Sequence, residues 1–372
     1  MTVTISVDCR MVRANAAAVA AMCAARGVEV IGVTKCCCGE PALARAMLSG
    51  GITMLGDSRV DSVRRLREAG VDCEVWLLRS PAFSEVDDVV RLTQVSLNSE
   101  VAVVEALSAA AQQHGTRHGA LLMVDTGDHR EGVLPEEAVP VAEAIEALPG
   151  IDLAGVGTIV GELCGALPTH ENHQLIVDVA EEVEKALGRR LRWISGGTSC
   201  SLPFVDAGTL PGRINHLRVG DAIVIGPEET EETMGYPLPI PHREVFFVAA
   251  EVIEVIRKPW LPTGPIGPDA NMCMRHWEDR GHRRRAIVAL GEQDMRTQHL
   301  APRRLGVEII GASSDHLVLD VEDAQPSVHV GESLDFVARY CAVASAWPNR
   351  LVRRILTERD AGPGSSSLGR AG

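Results

Sequence analysis

Val30-Ile31-Gly32-Val33-Thr34-Lys35 is a short apolar run rich in β-branched residues, closed by a lysine and followed by a turn at Gly39. A run of this length with turn residues at its end reads as a strand buried on both faces. Counted from 29–34, similar runs recur at 52–55, 73–78, 93–97, 119–124, 153–158, 191–195 and 221–225, eight in all. Between them, segments such as 40–49, 59–69, 99–113 and 170–187 carry amphipathic helical patterns. Each is long enough to cross back over a parallel sheet in the right-handed sense. The pattern predicts an α/β fold, a (β/α)8 barrel over residues 1–230, with any chemistry at the carboxyl ends of its strands.

The texture changes after Gly226. Pro227, an acidic Glu/Thr run, and Pro237, Pro239 and Pro241 mark a linker. From 242 to 356 the segments 245–256, 285–290, 307–310 and 316–321 alternate or run apolar over short distances, which predicts a β-rich second domain. The Gly/Ser/Pro-rich stretch 361–372 reads as a disordered tail.

Composition narrows the function. With 372 residues, 46% of them apolar, the chain can bury two cores or one large barrel plus an appendage. A net charge of -14 leaves little to neutralise a phosphate backbone, so nucleic acid is not expected as a partner. The triplet Arg283, Arg284 and Arg285 lies close to Glu278 and Asp279 and reads as a solvated edge. The alanine-rich stretch 16–25 follows Asp8 and runs into Arg26 and Gly27, the pattern of a helix closed by glycine and not of a signal peptide. No stretch reaches bilayer-spanning length, and the expected location is the cytoplasm. The ten cysteines are scattered, apart from Cys36, Cys37 and Cys38. Adjacent positions on a strand face opposite ways, so that cluster suits neither a disulfide nor a zinc clip; reduced thiols and no metal are expected.

Four segments carry chemistry. Lys35, at the end of the first barrel strand, points into the barrel mouth, where desolvation lowers a lysine pKa and favours imine formation. Ser195 to Ser201 combines Gly196, Gly197, Thr198 and Ser199 after a strand, a composition that frees backbone amides and adds hydroxyl donors for a phosphate. Asn215 to Asp221 places Arg218 at the start of the eighth strand, and Val124 to Arg130 places Arg130 just past the fifth, where a guanidinium can grip a substrate carboxylate. The bland alternative for Asp125 and Arg130 is an ion pair at the rim.

Beyond these, the stretches GVTK (32–35), GDSR (56–59), GDHREG (127–132), PTHEN (168–172), GGTS (196–199), INHLR (214–218), EDRG (278–281) and GASSDH (311–316) occur in an order that resembles the ornithine racemases, two-domain relatives of alanine racemase. The resemblance covers nearly the whole chain. It implies the alanine racemase type of barrel, pyridoxal 5'-phosphate as cofactor, and a homodimer in which the second domain of one subunit closes the site of the other. It implies further that Lys35 carries the cofactor, that Gly196, Gly197, Thr198 and Ser199 bind its phosphate, that Arg218 faces the pyridine nitrogen, and that Arg130 lies on the substrate side. There are departures. Met123 replaces a lysine that alanine racemase carbamylates, and Ile159, Asn271-Met272 and Leu351 stand where the family commonly has asparagine, aromatic and glycine residues, and tyrosine.

The implied activity is racemisation of a free amino acid, ornithine or another basic one, by removal and return of the α-proton. This needs a base on each face of the α-carbon. Lys35 serves one face. Asp315 or His316 is nominated for the other, with Asp269 and Tyr340 behind them; Asp269, Ser314, Tyr340 and Arg130 are the candidate substrate contacts. Glu162, Asp57 and Asp128 are the acids considered for a terminal amine. A permanently charged arginine at the pyridine nitrogen favours its unprotonated form, which suits a racemase better than a decarboxylase. The alternatives are a decarboxylase or aldolase on the same cofactor, a non-catalytic cofactor carrier, and a structural or interaction protein.

Overall fold

The computed structural model describes residues 3–269, 272–274 and 276–358. The tail at 361–372 and Asn271 lie outside the described residues. The chain opens with β1 (Thr4–Asp8), whose last residue caps a helix, Cys9–Ala24, by accepting the amide of Arg10 on its carboxylate at 2.9 Å. Eight parallel strands then close a barrel: β2 (Glu29–Val33), β3 (Met54–Asp57), β4 (Glu74–Leu77), β5 (Val95–Asn98), β6 (His118–Met123), β7 (Ile151–Gly157), β8 (Trp193–Ser195) and β9 (His216–Val219). The helices between them include Pro41–Ser49, Val60–Glu68, Val101–Gln113 and His170–Leu187, the amphipathic stretches read from the sequence.

The eighth strand is not where the sequence pattern put it. Residues 221–225 were expected to be a strand, but Asp221–Val224 is a short helix and the strand precedes it at His216–Val219. A short run such as Ala222-Ile223-Val224 is apolar in either conformation, so periodicity cannot separate the two. Here the run is fully buried beneath the first helix, where Asn15 Nδ2 donates to the Ile223 carbonyl at 3.3 Å. The strand shows the alternation expected of a barrel. Leu217 and Val219 pack outward against the surrounding helices, while His216 and Arg218 turn inward. The interior is plugged by Trp76 and Trp193, with the His216 ring stacked on Trp76 at 4.7 Å between centroids.

The second domain is a largely antiparallel sheet built from β10 (Phe246–Pro259), β11 (His282–Val288), β12 (Leu300–Pro302), β13 (Glu308–Ala312), β14 (Leu317–Asp320), β15 (Ser333–Ala338) and β16 (Arg353–Thr357). β1 joins this sheet, pairing antiparallel with β10 and parallel with β16, although its residues fall within the span assigned to the barrel. Thr4 to Asp8 alternates half-buried with buried side chains; Ile5 and Val7 are the buried ones, each worth about 1.5–3 kcal/mol on removal from water. The proline-flanked stretch read as a linker holds a helix, Glu228–Met234. Its carboxylates grip the start of another helix, Tyr340–Ala346: Glu232 pairs with Arg339 at 2.8 Å, and Glu229 accepts the Tyr340 amide at 2.7 Å. That clasp brings a second-domain tyrosine to the barrel mouth. Among the described residues no helix is long and apolar enough to cross a membrane.

Candidate active site

The carboxyl ends of the barrel strands surround a cavity of about 340 Å³. Lys35 follows β2, Thr198 and Ser199 follow β8, Arg218 rises from β9 and Tyr340 arrives from the second domain, so residues widely separated in sequence line the same cavity. The Lys35 ammonium lies 5.7 Å from the centroid of the Tyr340 ring. Lys35 is nevertheless exposed, not desolvated as expected, because the cavity is open at its mouth. The strand end that carries it is fixed from below: Thr34 Oγ1 donates to Asp57 at 2.8 Å, and the Arg59 amide donates to the same carboxylate at 3.0 Å. Burial raises the Asp57 carboxyl pKa despite those bonds. Asp57 is thus structural and does not face a substrate.

Gly197 has φ +123°, a backbone conformation that L side chains rarely adopt, and a Cβ there would lie 2.6 Å from Ser201 Oγ. Opposite it, a Cβ on Gly220 would come within 3.0 Å of Val33. The loop is braced from beneath by His173, whose Nε2 lies 3.0 Å from the Gly196 carbonyl and from Ser201 Oγ. Thr198 and Ser199 border the cavity together with Gly220 and Asp221. Gly196 and Gly197 themselves are not among the residues that line it. Sequence reading found the glycine loop and singled out 215–221, but gave Gly220 and Asp221 no role, because it started the eighth strand at 221 whereas that strand ends at Val219.

Arg218 is 3% exposed and its hydrogen-bond partners among the described residues are uncharged: Nη1 donates to Ser195 Oγ at 2.5 Å and Nη2 to the Thr158 carbonyl at 2.8 Å. Burial lowers its pKa to about 10. Asp221 shows the converse effect: burial raises its carboxyl to about 6, partly opposed by the charge of Lys35. Tyr340 is also held above its ordinary pKa, chiefly by burial. Its phenol keeps its proton near neutrality.

Arg130 lines the cavity, but its donors are already engaged. Its Nε and Nη2 bind the Glu131 carboxylate and its Nη1 lies 3.3 Å from Glu162. A substrate carboxylate would have to displace Glu131 to take the guanidinium fork, so the expected grip is not preformed. Asp125 does not pair with Arg130; it receives His129 Nδ1 at 3.1 Å and the amides of Gly127 and His129. Asp128 is buried and accepts the amides of Glu162, Leu163 and Cys164 at 3.3, 2.9 and 3.2 Å. Of the three acids considered for a terminal amine, only Glu162 reaches the cavity, and Asp128 fixes the loop that carries it.

The remaining candidates lie outside the cavity of their own chain. Ser314, Asp315 and His316 are exposed at the turn between β13 and β14, where Ser314 Oγ donates to Asp315 at 2.6 Å. Asp269 closes a turn, accepting the Cys273 amide on its side chain at 3.0 Å. Ile159 lines the cavity, Met123 is buried in the barrel interior, and Met272 and Leu351 are exposed. Cys36 and Cys37 are buried in a turn of 3-10 helix after Lys35, not on a strand, and all ten cysteines are free thiols.

This architecture is shared with known proteins. An alanine racemase from Streptomyces lavendulae superposes with a TM-score of 0.70 over 96% of this chain and 98% of its own, at 18% identity. A D-threonine aldolase from Filomicrobium marinum gives 0.72 over 93% of this chain and 89% of its own, also at 18% identity. In sequence the chain is 36% identical to a lysine racemase of Thermotoga maritima, covering 94% of this chain and 97% of that protein. It is 33% identical to an ornithine racemase of Acetoanaerobium sticklandii, covering 95% and 99%. Residues 7–227 match the family described as alanine racemase, N-terminal domain, and with the two near full-length relatives this places the chain as a member of that family.

Proposed function

We propose that this protein is an amino-acid racemase that uses pyridoxal 5'-phosphate and acts on a free amino acid with a basic side chain. The observation that carries the reading is the convergence, in one cavity, of a primary amine, the Thr198 and Ser199 hydroxyls beside Gly220, and a buried guanidinium that has no carboxylate partner among the described residues. The donor set fits the cofactor: Lys35 for its aldehyde, Thr198 and Ser199 with the glycine backbone for its phosphate, and Arg218 for its ring nitrogen. When bound, the cofactor supplies the electron sink that makes an amino acid's α-proton acidic.

The chain's own residues supply the rest. Lys35 Nζ takes or returns the proton on one face. Arg218 stays charged at neutral pH, since even its lowered pKa is about 10, and so donates to the ring nitrogen without protonating it. Tyr340 packs its ring against the lysine and offers a phenolic hydrogen bond. Glu162, held by Arg130 at one oxygen, presents a carboxylate to a side-chain ammonium. The base for the second face is assigned to Asp315 or His316 of a partner subunit in a homodimer, in agreement with their exposure and their absence from their own chain's cavity. Ser314 and Asp269 are assigned to substrate contact from the same partner subunit. The names of both near full-length relatives point to basic substrates.

The test is α-proton exchange in deuterated water over a panel of L-amino acids with chiral analysis of the products. Exchange with inversion for lysine or ornithine is expected. Release of an aldehyde or of carbon dioxide would replace the racemase by an aldolase or a decarboxylase, and cofactor binding without exchange on any amino acid would make the protein a carrier.

A further inference from the structure

We propose that Ser195 and His216 form a neutral hydrogen-bond relay whose task is to position the Arg218 guanidinium. The three side chains share one hydroxyl: Ser195 Oγ lies 2.5 Å from Arg218 Nη1 and 2.9 Å from His216 Nδ1. A guanidinium only donates, so the serine oxygen accepts from Arg218 and its single O–H is free to turn toward the imidazole. Counting unmet groups selects the tautomer. If Nδ1 accepts from the serine, the one unmet group is Nε2–H, and Nε2 indeed has no protein partner among the described residues. If Nδ1 carried the proton instead, both the serine hydrogen and the Nε2 lone pair would be unmet, one more buried polar group than in the first arrangement. The imidazole is completely buried between Trp76 and Trp193, with centroids at 4.7 and 5.1 Å, and burial together with the charges of Arg218 and Arg192 holds it neutral.

The consequence is directional. A lone serine hydroxyl can rotate and point its hydrogen at the arginine. With Nδ1 fixing that hydrogen, both lone pairs stay on the side of Arg218, and the accepted bond is strengthened by the one donated. The second guanidinium nitrogen is tied to the Thr158 carbonyl at 2.8 Å, so the plane of the group is set by two acceptors, one at the end of β8 and one on the residue just after β7. Arg218 itself lines the cavity. Ser195 and His216 are positioning residues, since neither lines the cavity. The assignment of Arg218 to the cofactor rests on the reading above; the relay itself does not.

The experiment has two arms on the full-length enzyme. In the first, the imidazole nitrogens of His216 are observed by 15N–1H correlation in the wild type and identified by their loss in His216→Phe. A protonated Nε2, an unprotonated Nδ1 and no titration between pH 5.5 and 8.5 are expected under the low pKa of a buried imidazole. A protonated Nδ1, or titration in that range, would overturn the relay. In the second arm, pyridoxal phosphate binding is followed by absorbance. Ser195→Ala and His216→Phe are each expected to weaken it about tenfold, the scale of one hydrogen bond to a charged group, and to lower kcat more than they change KM, while Ser195→Thr restores both. His216→Phe keeps a flat ring between the two tryptophans, so wild-type binding in that variant would reduce His216 to packing and refute its role. If the wild type bound no pyridoxal phosphate, the proposed function would fall while the first arm still decided the relay.

Discussion

Asp221 carries the clearest electrostatic prediction of the structure, because it lines the cavity with no side-chain partner for its carboxyl among the described residues and burial raises it from 3.8 to about 6. At about 1.4 kcal/mol per tenfold change in proton affinity, that rise corresponds to about 3 kcal/mol in favour of the protonated form. Asp221 is partly exposed, so solvent screening reduces the figure to about 1–2 kcal/mol. The sign follows from linkage: the folded protein binds this proton more tightly than the unfolded chain does. The stabilising contribution is complete below about pH 4 and is lost as the pH rises through about 6. Asp221→Asn, which keeps the shape and removes the charge, should match the wild type near pH 4 and exceed it above pH 7 by about 1–2 kcal/mol, or about 2–4 °C in Tm. The assay is thermal unfolding of the cofactor-free protein from pH 4 to 8. Lys35→Met should widen the gap, because the lysine charge opposes the rise. An Asn variant no more stable than the wild type at pH 8 would show that the carboxylate is compensated, and would refute the account of the cavity as a place that disfavours a negative charge there.

Other outcomes follow from the site. Lys35→Ala should abolish the absorption band of covalently held cofactor and lower racemisation by at least about a thousandfold; retention of the band would remove Lys35 from its role. Glu162→Gln should lower kcat/KM for lysine or ornithine by about tenfold to a hundredfold and leave an uncharged isostere such as norleucine unchanged, measured by chiral chromatography; equal losses on both would deny Glu162 a part in side-chain recognition. Mixing and reassembling inactive Lys35→Ala and Asp315→Ala subunits in equal amounts should recover up to about a quarter of wild-type activity, because half the dimers would hold one intact shared site. No recovery, with both variants shown to exchange subunits, would return Asp315 to a turn residue.

The barrel was legible in the sequence because its strands are short apolar runs separated by amphipathic crossovers, and seven of the eight lie within a few residues of their expected places. Local pattern also marked Lys35 and the Gly196–Ser199 loop, since a lysine at a strand end and a glycine-rich turn before a helix have local meaning. The eighth strand was not legible: Ala222-Ile223-Val224 is apolar in a strand and in a helix, and only packing against Asn15 and its helix separates the two. With that shift went the roles of Gly220 and Asp221, which lay in a segment that sequence reading singled out only for Arg218. The roles of the acids likewise depend on three-dimensional neighbours. Asp57, Asp128 and Glu162 look alike along the chain, yet Thr34 and Arg59 commit the first, three loop amides commit the second, and only the third opens into the cavity. Spacing fixes what a strand or turn can be, because its hydrogen bonds and periodicity are local. Which charges meet, which are buried, and which of Arg130's donors remain free are set by contacts between residues far apart in sequence, and those exist only in the folded chain.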